Sequence, residues 1–133
     1  MHFDHERLEV YQLALDFLVY ADHVIRKLPR GRAHFSDQLG RAALSVVLNI
    51  AGGAGKVSGA DKRRHYVTAR GSATESAALL DALSRVALLD ESKLAEGKEM
   101  LVRVVSMLVK LARNLESSGM AASKQPNESR SEL

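Results

Sequence analysis

Four consecutive residues, Lys62-Arg63-Arg64-His65, form the cluster in this sequence with the clearest chemical use. Lysine and arginine on one face of a protein contact phosphates and bind nucleic acid without reading its sequence. The cluster opens a predicted helix, where positive charge opposes the helix dipole and costs stability, and that cost favours a functional reason for the placement. The candidate nucleic-acid-binding residues are Arg41, Lys56, Lys62, Arg63, Arg64 and Arg70.

The charge of the chain is unevenly distributed. Ten Lys or Arg residues from Arg26 to Arg70 stand against only Asp37 and Asp61, although the whole chain has a formal net charge of +3. A region this basic attracts polyanions; the alternative is a solvated surface that keeps the protein in solution. Because the sequence has no helix-turn-helix pattern and no aromatic platform for stacking single-stranded bases, we expect contacts to the phosphates of RNA or DNA.

The sequence offers no set of residues for catalysis or for metal binding. A di-metal helical bundle needs paired Glu-x-x-His elements, and none is present. The segment 55–58, Gly-Lys-Val-Ser, resembles a phosphate loop only faintly, because Ile50 stands where glycine is required and the segment follows a helix instead of a strand. Serines on the predicted helices fit packing roles better than nucleophilic ones. We therefore expect no enzyme activity, no cofactor and no metal.

Two polar residues lie among small or apolar residues of predicted helices. Asn49 is in the middle of an apolar helix, where a buried amide must find hydrogen-bond partners or cost about 1–3 kcal/mol. Glu75 lies close to a seam of small residues. Such residues can fix the register of a helix or a contact between subunits, so we predict structural roles for both.

Length and composition limit the class of protein. A chain of 133 residues is one domain, and abundant Ala, Leu and Val with few aromatics favour helices. The absence of Cys excludes disulfide scaffolds and thiolate metal sites. Neither a signal peptide nor an apolar stretch of roughly 18 residues is recognisable, so we expect a soluble cytoplasmic protein with no membrane partner.

Apolar periodicity predicts four helices: from about His5 to Leu28, from near Ser36 to the glycine run 52–55, after Ser58, and after Asp90 to about Ser117. Short connections force antiparallel neighbours, so the predicted fold is all-α, an antiparallel up-and-down four-helix bundle over residues 1–118. Residues 119–133 lack periodicity and are predicted to form a disordered tail. A second apolar row makes the face of the first helix wider than a lone bundle requires, which marks an oligomer interface; the row includes Leu8, Tyr11 and Leu15.

Three groups of residues together resemble one bacterial family. They are Phe3-Asp4 with segment 8–14, segments 38–45 and 49–51 of the second helix, and segments 66–69 and 71–75 of the third. Over roughly residues 3–116 the chain is similar to the family named four-helix bundle protein, also called the 23S ribosomal RNA intervening-sequence protein family. The sequence departs from the family pattern at Val47, where Pro is usual, and at Gly52, where Glu is usual.

The resemblance implies a homopentamer in which the bundles form a barrel around a central channel. It also implies a link to nucleic acid, because some members are encoded within inserts in ribosomal RNA genes. A related branch, the accessory protein of diversity-generating retroelements, works with a reverse transcriptase and RNA. The resulting hypothesis is a non-enzymatic oligomeric bundle whose basic face binds nucleic acid or a nucleic-acid enzyme such as a reverse transcriptase. The alternative is a protein–protein interaction scaffold with no nucleic-acid role.

Overall fold

A computed structural model of the chain describes residues 3–123, with side chains described through Leu115. These residues form a short 3₁₀ turn, Asp4–Arg7, followed by α1 (Glu9–Arg26), α2 (Ala33–Ala54), α3 (Gly59–Arg85) and α4 (Glu91–Ser123). The described residues contain no strand. The predicted all-α class with four helices is confirmed, and the arrangement is consistent with a four-helix bundle.

The helices pack side by side in chain order, and α1 also packs against α4 to close the bundle. Two contacts at different positions along the bundle axis show that α2 and α3 run antiparallel. The hydroxyl oxygens of Ser45 and Ser72 are 2.7 Å apart, while Gly52, further along α2, lies against His65, further back along α3. The connection between these two helices is therefore a tight hairpin turn.

The same reasoning gives the direction of α4. Lys98 near its start pairs with Asp81 near the end of α3, at 2.8 Å between Nζ and Oδ1. Leu115, much further along α4, lies beside Gly59 at the start of α3. The two helices are antiparallel, so the end of α4 reaches the α2–α3 turn.

The interior is built from the apolar seams that periodicity predicts. The larger side chains that solvent does not reach come from all four helices: Phe17, Leu39, Val46, Ile50, Leu80, Leu83, Val104 and Leu108. One polar side chain, Ser76, is buried with them, and its hydroxyl donates to the carbonyl of Ser72 at 2.9 Å. Because that hydroxyl is satisfied within α3, its burial does not carry the cost of an unpaired polar group.

The first two helices begin at positions other than the predicted ones. The first α-helix does not start at His5, because residues 4–7 form the 3₁₀ turn and Leu8 has an extended backbone. The second starts at Ala33, before Ser36, and no side chain caps it. Predicted starts after Ser58 and Asp90 are confirmed, since both side chains accept hydrogen bonds from first-turn amides.

The second helix ends within the glycine run, as predicted. Gly52 and Gly53 still belong to the helix, which ends at Ala54 with Gly55 as its C-cap. A Cβ on Gly53 would lie only 2.8 Å from the ring of Tyr66, so glycine lets α3 approach. That packing offsets the low helix propensity of these two glycines.

The last helix is longer than predicted. It continues to Ser123, past the predicted boundary at residue 118, whereas residues 124–133 of the predicted tail lie outside the described part of the chain. Ala87, just beyond the end of α3, lies outside the helix and adopts a positive φ of 64°. The amide of Leu88 donates to the carbonyl of Leu83 at 2.8 Å, which is the bond that closes a Schellman motif.

Candidate nucleic-acid interface

The turn between α2 and α3 brings the predicted basic residues to one end of the bundle, called here the hairpin end. Lys56 lies in the turn, and Lys62, Arg63 and Arg64 occupy the first turns of α3. All but Lys62, which is half-buried, are exposed. The hairpin end therefore concentrates four of the six candidate residues within one short stretch of surface.

Lys62 has a structural function within this group. Its Nζ donates to the carbonyl of Ala54, the last residue of α2, at 3.0 Å. The C-terminal end of a helix carries partial negative charge and unsatisfied carbonyls, which a cation stabilises. The positive charge of Lys62 is unfavourable at the N-terminal end of α3 but favourable at the C-terminal end of α2. This second interaction reduces the predicted stability cost of the cluster.

The other residues at the start of α3 form a local network. The Ser58 hydroxyl accepts from the amide of Asp61 at 3.1 Å, and Asp61 Oδ1 accepts from Arg64 at 2.8 Å. The Nδ1–H of His65 donates to the Asp61 carbonyl at 3.0 Å. One carboxylate therefore neutralises part of the local charge, but both members of the Asp61–Arg64 pair are substantially exposed and remain accessible to a polyanion.

The remaining two candidates lie away from this end. Arg70 is exposed two helical turns beyond Arg63, on the same side of α3 because seven residues separate them. Arg41 is exposed on α2, about 22 Å along the helix axis before Lys56. The structure therefore brings Arg70 near the cluster and leaves Arg41 outside it.

The basic middle region of the sequence is divided by the fold. Its earlier cations lie around the α1–α2 connection, beside the α3–α4 connection with Asp90 and Glu91. Because α2 has 22 residues and is about 33 Å long, these cations are at the opposite end of the bundle from the hairpin end. There, Arg26 is paired with Asp22 at 2.8 Å. A single continuous basic face over residues 26–70 does not exist.

Sequence reasoning missed Arg113 at the hairpin end. Arg113 is exposed on α4, two residues before Leu115, which lies beside Gly59. Its position follows from the antiparallel packing of α3 and α4. The spacing within the sequence contains no signal for this proximity, because it joins residues more than fifty positions apart.

An aromatic stack at the same end was also missed. The rings of Phe3 and His5 are nearly parallel, with centroids 5.8 Å apart, and His5 meets Tyr11 edge-on at 4.6 Å. The 3₁₀ turn that carries the first two rings packs against α2. Since α1 runs antiparallel to α2, with Ile25 near its end facing Gly40 near the start of α2, its beginning lies at the hairpin end.

The predicted interface residues are only partly available to a second subunit. Leu8, Tyr11 and Leu15 are half-buried and pack against the core of their own chain. Asn49 donates to the carbonyl and hydroxyl oxygens of Ser45 at 2.9 and 3.1 Å, and the Ser45 hydroxyl in turn contacts Ser72 on α3. The amide thus belongs to a link between two helices of one chain. Glu75 is exposed further along α3.

Two leucines on α2 are more exposed than the half-buried Leu8, Tyr11 and Leu15. Leu44 and Leu48 have 44% and 59% of their surface accessible, and they are four residues apart on one side of the helix. A helical wheel of α2 could have found them, because they lie opposite the buried pair Val46 and Ile50. They form an apolar surface that the bundle itself does not cover.

A cavity of about 640 Å³ between α1 and α4 is the other candidate site; it is lined by residues that include Asp16, Tyr20, His23, Lys93, Glu96 and Met100. The Tyr20 hydroxyl donates to the Lys93 carbonyl, and Lys93 Nζ pairs with Glu96 at 3.3 Å. Burial, and then the negative charges of Glu96 and Asp90, raise the pKa of Tyr20 to about 12. The Tyr20 hydrogen bond joins α1 to α4, whereas the Lys93–Glu96 pair lies within α4.

The described residues contain neither a metal-binding group of side chains nor a membrane-spanning helix. Among them, no group of three His, Cys, Asp or Glu side chains is placed to hold a metal ion. No helix in this part of the chain combines the length and apolar character needed to cross a membrane.

Residues 6–110 match the model of the family described as 23S rRNA-intervening sequence protein. Among proteins with curated descriptions, none matches the chain. The family match includes α1, α2, α3 and most of α4, so it covers the α2–α3 turn, whereas Phe3, His5 and Arg113 at the hairpin end lie outside it.

Proposed function

Because this chain belongs to the 23S rRNA-intervening sequence protein family, we propose that it is a non-enzymatic bundle that binds RNA and that its hairpin end contacts the RNA phosphates. The observation that carries the proposal is that exposed Lys56, Arg63, Arg64 and Arg113, from the α2–α3 turn, α3 and α4, lie at one end of the bundle. Cations gathered at one end give a field that attracts a polyanion more strongly than cations dispersed among carboxylates. DNA carries the same backbone phosphates and is attracted in the same way.

The test neutralises exposed cations that have no structural contact comparable to that of Lys62. The variant combines Lys56→Gln, Arg64→Gln and Arg113→Gln, and binding to a 20-nucleotide RNA is followed by fluorescence anisotropy at several salt concentrations. We expect affinity to fall by about tenfold or more. The slope of log affinity against log salt should shrink by about 2, because each lost phosphate contact on a single strand removes about 0.7.

The matched control makes the same change of charge at the other end of the bundle. It combines Lys27→Gln, Arg30→Gln and Arg85→Gln, all exposed positions, and should retain most of the affinity. Equal losses in both variants would mean that only net charge matters and that the hairpin end is not a site. Absence of RNA binding by the unaltered protein at about 0.15 M salt would overturn the proposal and favour the protein-interaction scaffold.

We also propose that copies of the chain associate through the surface of Leu44 and Leu48, in the homopentamer that the family resemblance implies. Their exposure leaves apolar area in contact with water, and its burial between subunits is favourable by about 25 cal/mol per Å². The double variant Leu44→Asp, Leu48→Asp should reduce the mass measured by light scattering to that of one chain, 14.5 kDa. The control, Val67→Asp with Val102→Asp, places the same charges on α3 and α4. A monomeric unaltered protein would contradict this proposal.

A further inference from the structure

We infer that the hairpin end prefers single-stranded nucleic acid, because an unpaired base stacks on Phe3 while the neighbouring cations hold the phosphates beside it. This inference rests on the proposed function and specifies its substrate class. The sequence alone indicates no aromatic platform, and the proposal depends on a contact between rings that only the fold creates. The three rings are separated along the chain, and only the 3₁₀ turn followed by the first turns of α1 brings them together.

Three aromatic rings contact one another in turn from the core outward. Tyr11 is half-buried and packs against the core, and His5 lies with its ring edge-on to Tyr11, at an interplanar angle of 67°. The ring of Phe3 is nearly parallel to that of His5, at an angle of 19° with the centroids 5.8 Å apart. The outermost ring therefore has an aromatic neighbour on the side of the core.

The backbone of Phe3 is hydrogen-bonded on both sides, while its side chain is exposed to solvent. Its amide donates to Glu6 Oε2 at 2.6 Å, and its carbonyl accepts from the Glu6 amide at 3.1 Å. Nevertheless, 75% of the residue is exposed, so with His5 against one face of the ring the other is open. A nucleobase placed there would bury this apolar surface and extend the stack by one layer.

The chemistry of the partner follows from this geometry. In a duplex, each internal base is covered on both faces by its neighbours, so it cannot lie on an aromatic side chain without being unstacked. Unpaired bases have free faces, and proteins that bind single strands combine such aromatic rings with cations that track the backbone. Phe3 and the cluster of Lys56, Arg63 and Arg64 lie at the same end of the bundle, which provides both components.

The experiment uses a 12-nucleotide oligoadenylate with one 2-aminopurine, whose fluorescence is quenched by stacking, and a 12-base-pair duplex for comparison. The full chain and its Phe3→Leu variant are compared, because leucine keeps apolar surface and removes the ring. We expect the variant to bind the single strand about tenfold more weakly, since stacking of one base contributes about that factor. Quenching should be lost, and binding to the duplex should not change.

Two control variants separate stacking from other effects. Phe3→Tyr keeps an aromatic ring and should restore affinity to within about twofold and restore the quenching. Val57→Ala removes a non-aromatic side chain that is 99% exposed at the same end, and it should bind like the unaltered chain. Circular dichroism should show the same helix content in all variants, because neither position contributes to the core.

The outcomes distinguish this inference from the function on which it rests. If Phe3→Leu binds the single strand normally while the Lys56, Arg64, Arg113 variant does not, stacking is wrong and phosphate binding stands. If neither variant changes the affinity, both proposals fail. Equal affinity of the unaltered chain for the duplex and the single strand would overturn the preference stated here. Comparison of ribo- and deoxyribo-oligoadenylate then shows whether the sugar contributes.

Discussion

The two ends of the bundle both carry many charged residues, and at each end the fold uses some of them and leaves others exposed. At the end formed by the α1–α2 and α3–α4 connections, Asp90 caps α4 and Lys93 pairs with Glu96, while Lys27 and Arg30 are exposed. At the hairpin end, Lys62 donates to Ala54 and Arg64 pairs with Asp61, while the side chains of Lys56 and Arg113 make no hydrogen bond or ion pair within the described residues and are exposed. The ends differ in the segments that supply the exposed cations, which are the α1–α2 connection at one end and the α2–α3 turn with α4 at the other. A count of charges along the sequence therefore does not identify a binding surface.

Both ends pack an aromatic ring against a glycine, but between different helices. At the hairpin end, Cβ atoms added to Gly52 and Gly53 of α2 would come within 3.0 Å of His65 and Tyr66 of α3. At the other end, the ring of Tyr20 of α1 lies directly against Gly97 of α4, beside the cavity between these two helices. Glycine thus lets α2 and α3 approach at one end, and lets Tyr20 wedge between α1 and α4 at the other.

The largest expected effect comes from adding a methyl group at these contacts. The Cβ of Gly97→Ala would lie 2.5 Å from the Tyr20 ring, and that of Gly53→Ala 2.8 Å from the Tyr66 ring. We expect losses in the free energy of unfolding of about 3 and about 2 kcal/mol, respectively, because overpacked sites must shift backbone or side chains. Urea denaturation followed by circular dichroism measures both.

Gly71→Ala is the matched control for the glycine variants. Nothing lies within 4 Å of a Cβ at that position, so alanine should stabilise α3 by about 0.5–1 kcal/mol through its higher helix propensity. If all three variants behaved alike, the close approaches described here would have no energetic consequence.

The second effect concerns alkaline pH and the wedged ring. Burial, Glu96 and Asp90 raise the pKa of Tyr20 from 10.0 to about 12 in the folded chain. The folded state therefore favours the protonated phenol, and the stabilisation is complete below pH 10 and lost as the pH rises to 12. We expect the free energy of unfolding to decrease by about 2 kcal/mol over this interval, which is measured by denaturation at fixed pH values.

Tyr20→Phe separates this contribution from that of the other buried tyrosine. It should remove the greater part of the alkaline decline and leave a smaller one from Tyr66, whose pKa is also raised by burial. At neutral pH the variant should be less stable by about 1 kcal/mol, because the hydrogen bond to the Lys93 carbonyl is lost. An unchanged alkaline profile would show that Tyr20 is not the titrating group.

The smallest effect is a gain in stability at the end of α3. Ala87 has a positive φ of 64°, a conformation in which the Cβ of an L-residue is unfavourable and glycine is not. Ala87→Gly should therefore raise the free energy of unfolding by about 0.5–1 kcal/mol, measurable as a higher midpoint in urea. Val86→Gly, one residue earlier and with a negative φ, should instead be destabilising.

Most of the fold could be predicted because it depends on local periodicity. Val10, Ala14 and Phe17 repeat at helical spacing and are buried as that spacing requires. The starts of α3 and α4 were predictable for a similar reason, since Ser58 and Asp90 cap amides only three residues away. The end of α2 within the glycine run was predictable from low helix propensity, whereas the packing of Gly53 against Tyr66 was not visible locally.

The candidate site was less predictable because it joins distant parts of the chain. Lys62 and Arg64 could be proposed from a run of charge, but the bond from Lys62 to the Ala54 carbonyl depends on the tight turn. Arg41 appeared equivalent to them and is not, since four turns of α2 separate it from the hairpin end. The stack of Phe3 on His5 required the break at Leu8, which the periodicity of the first helix concealed.

By itself, the sequence determined the number of helices, the residues that face the core and the places where α3 and α4 begin. These properties depend on side chains within about one helical turn of each other, so spacing alone encodes them. Only the tertiary structure decided that Arg113 and Lys56 lie at one end, that Arg30 lies at the other, and that exposed Phe3 is at the same end as Lys56. Antiparallel packing decides such proximities, because it places residues together by height in the bundle and not by position in the chain.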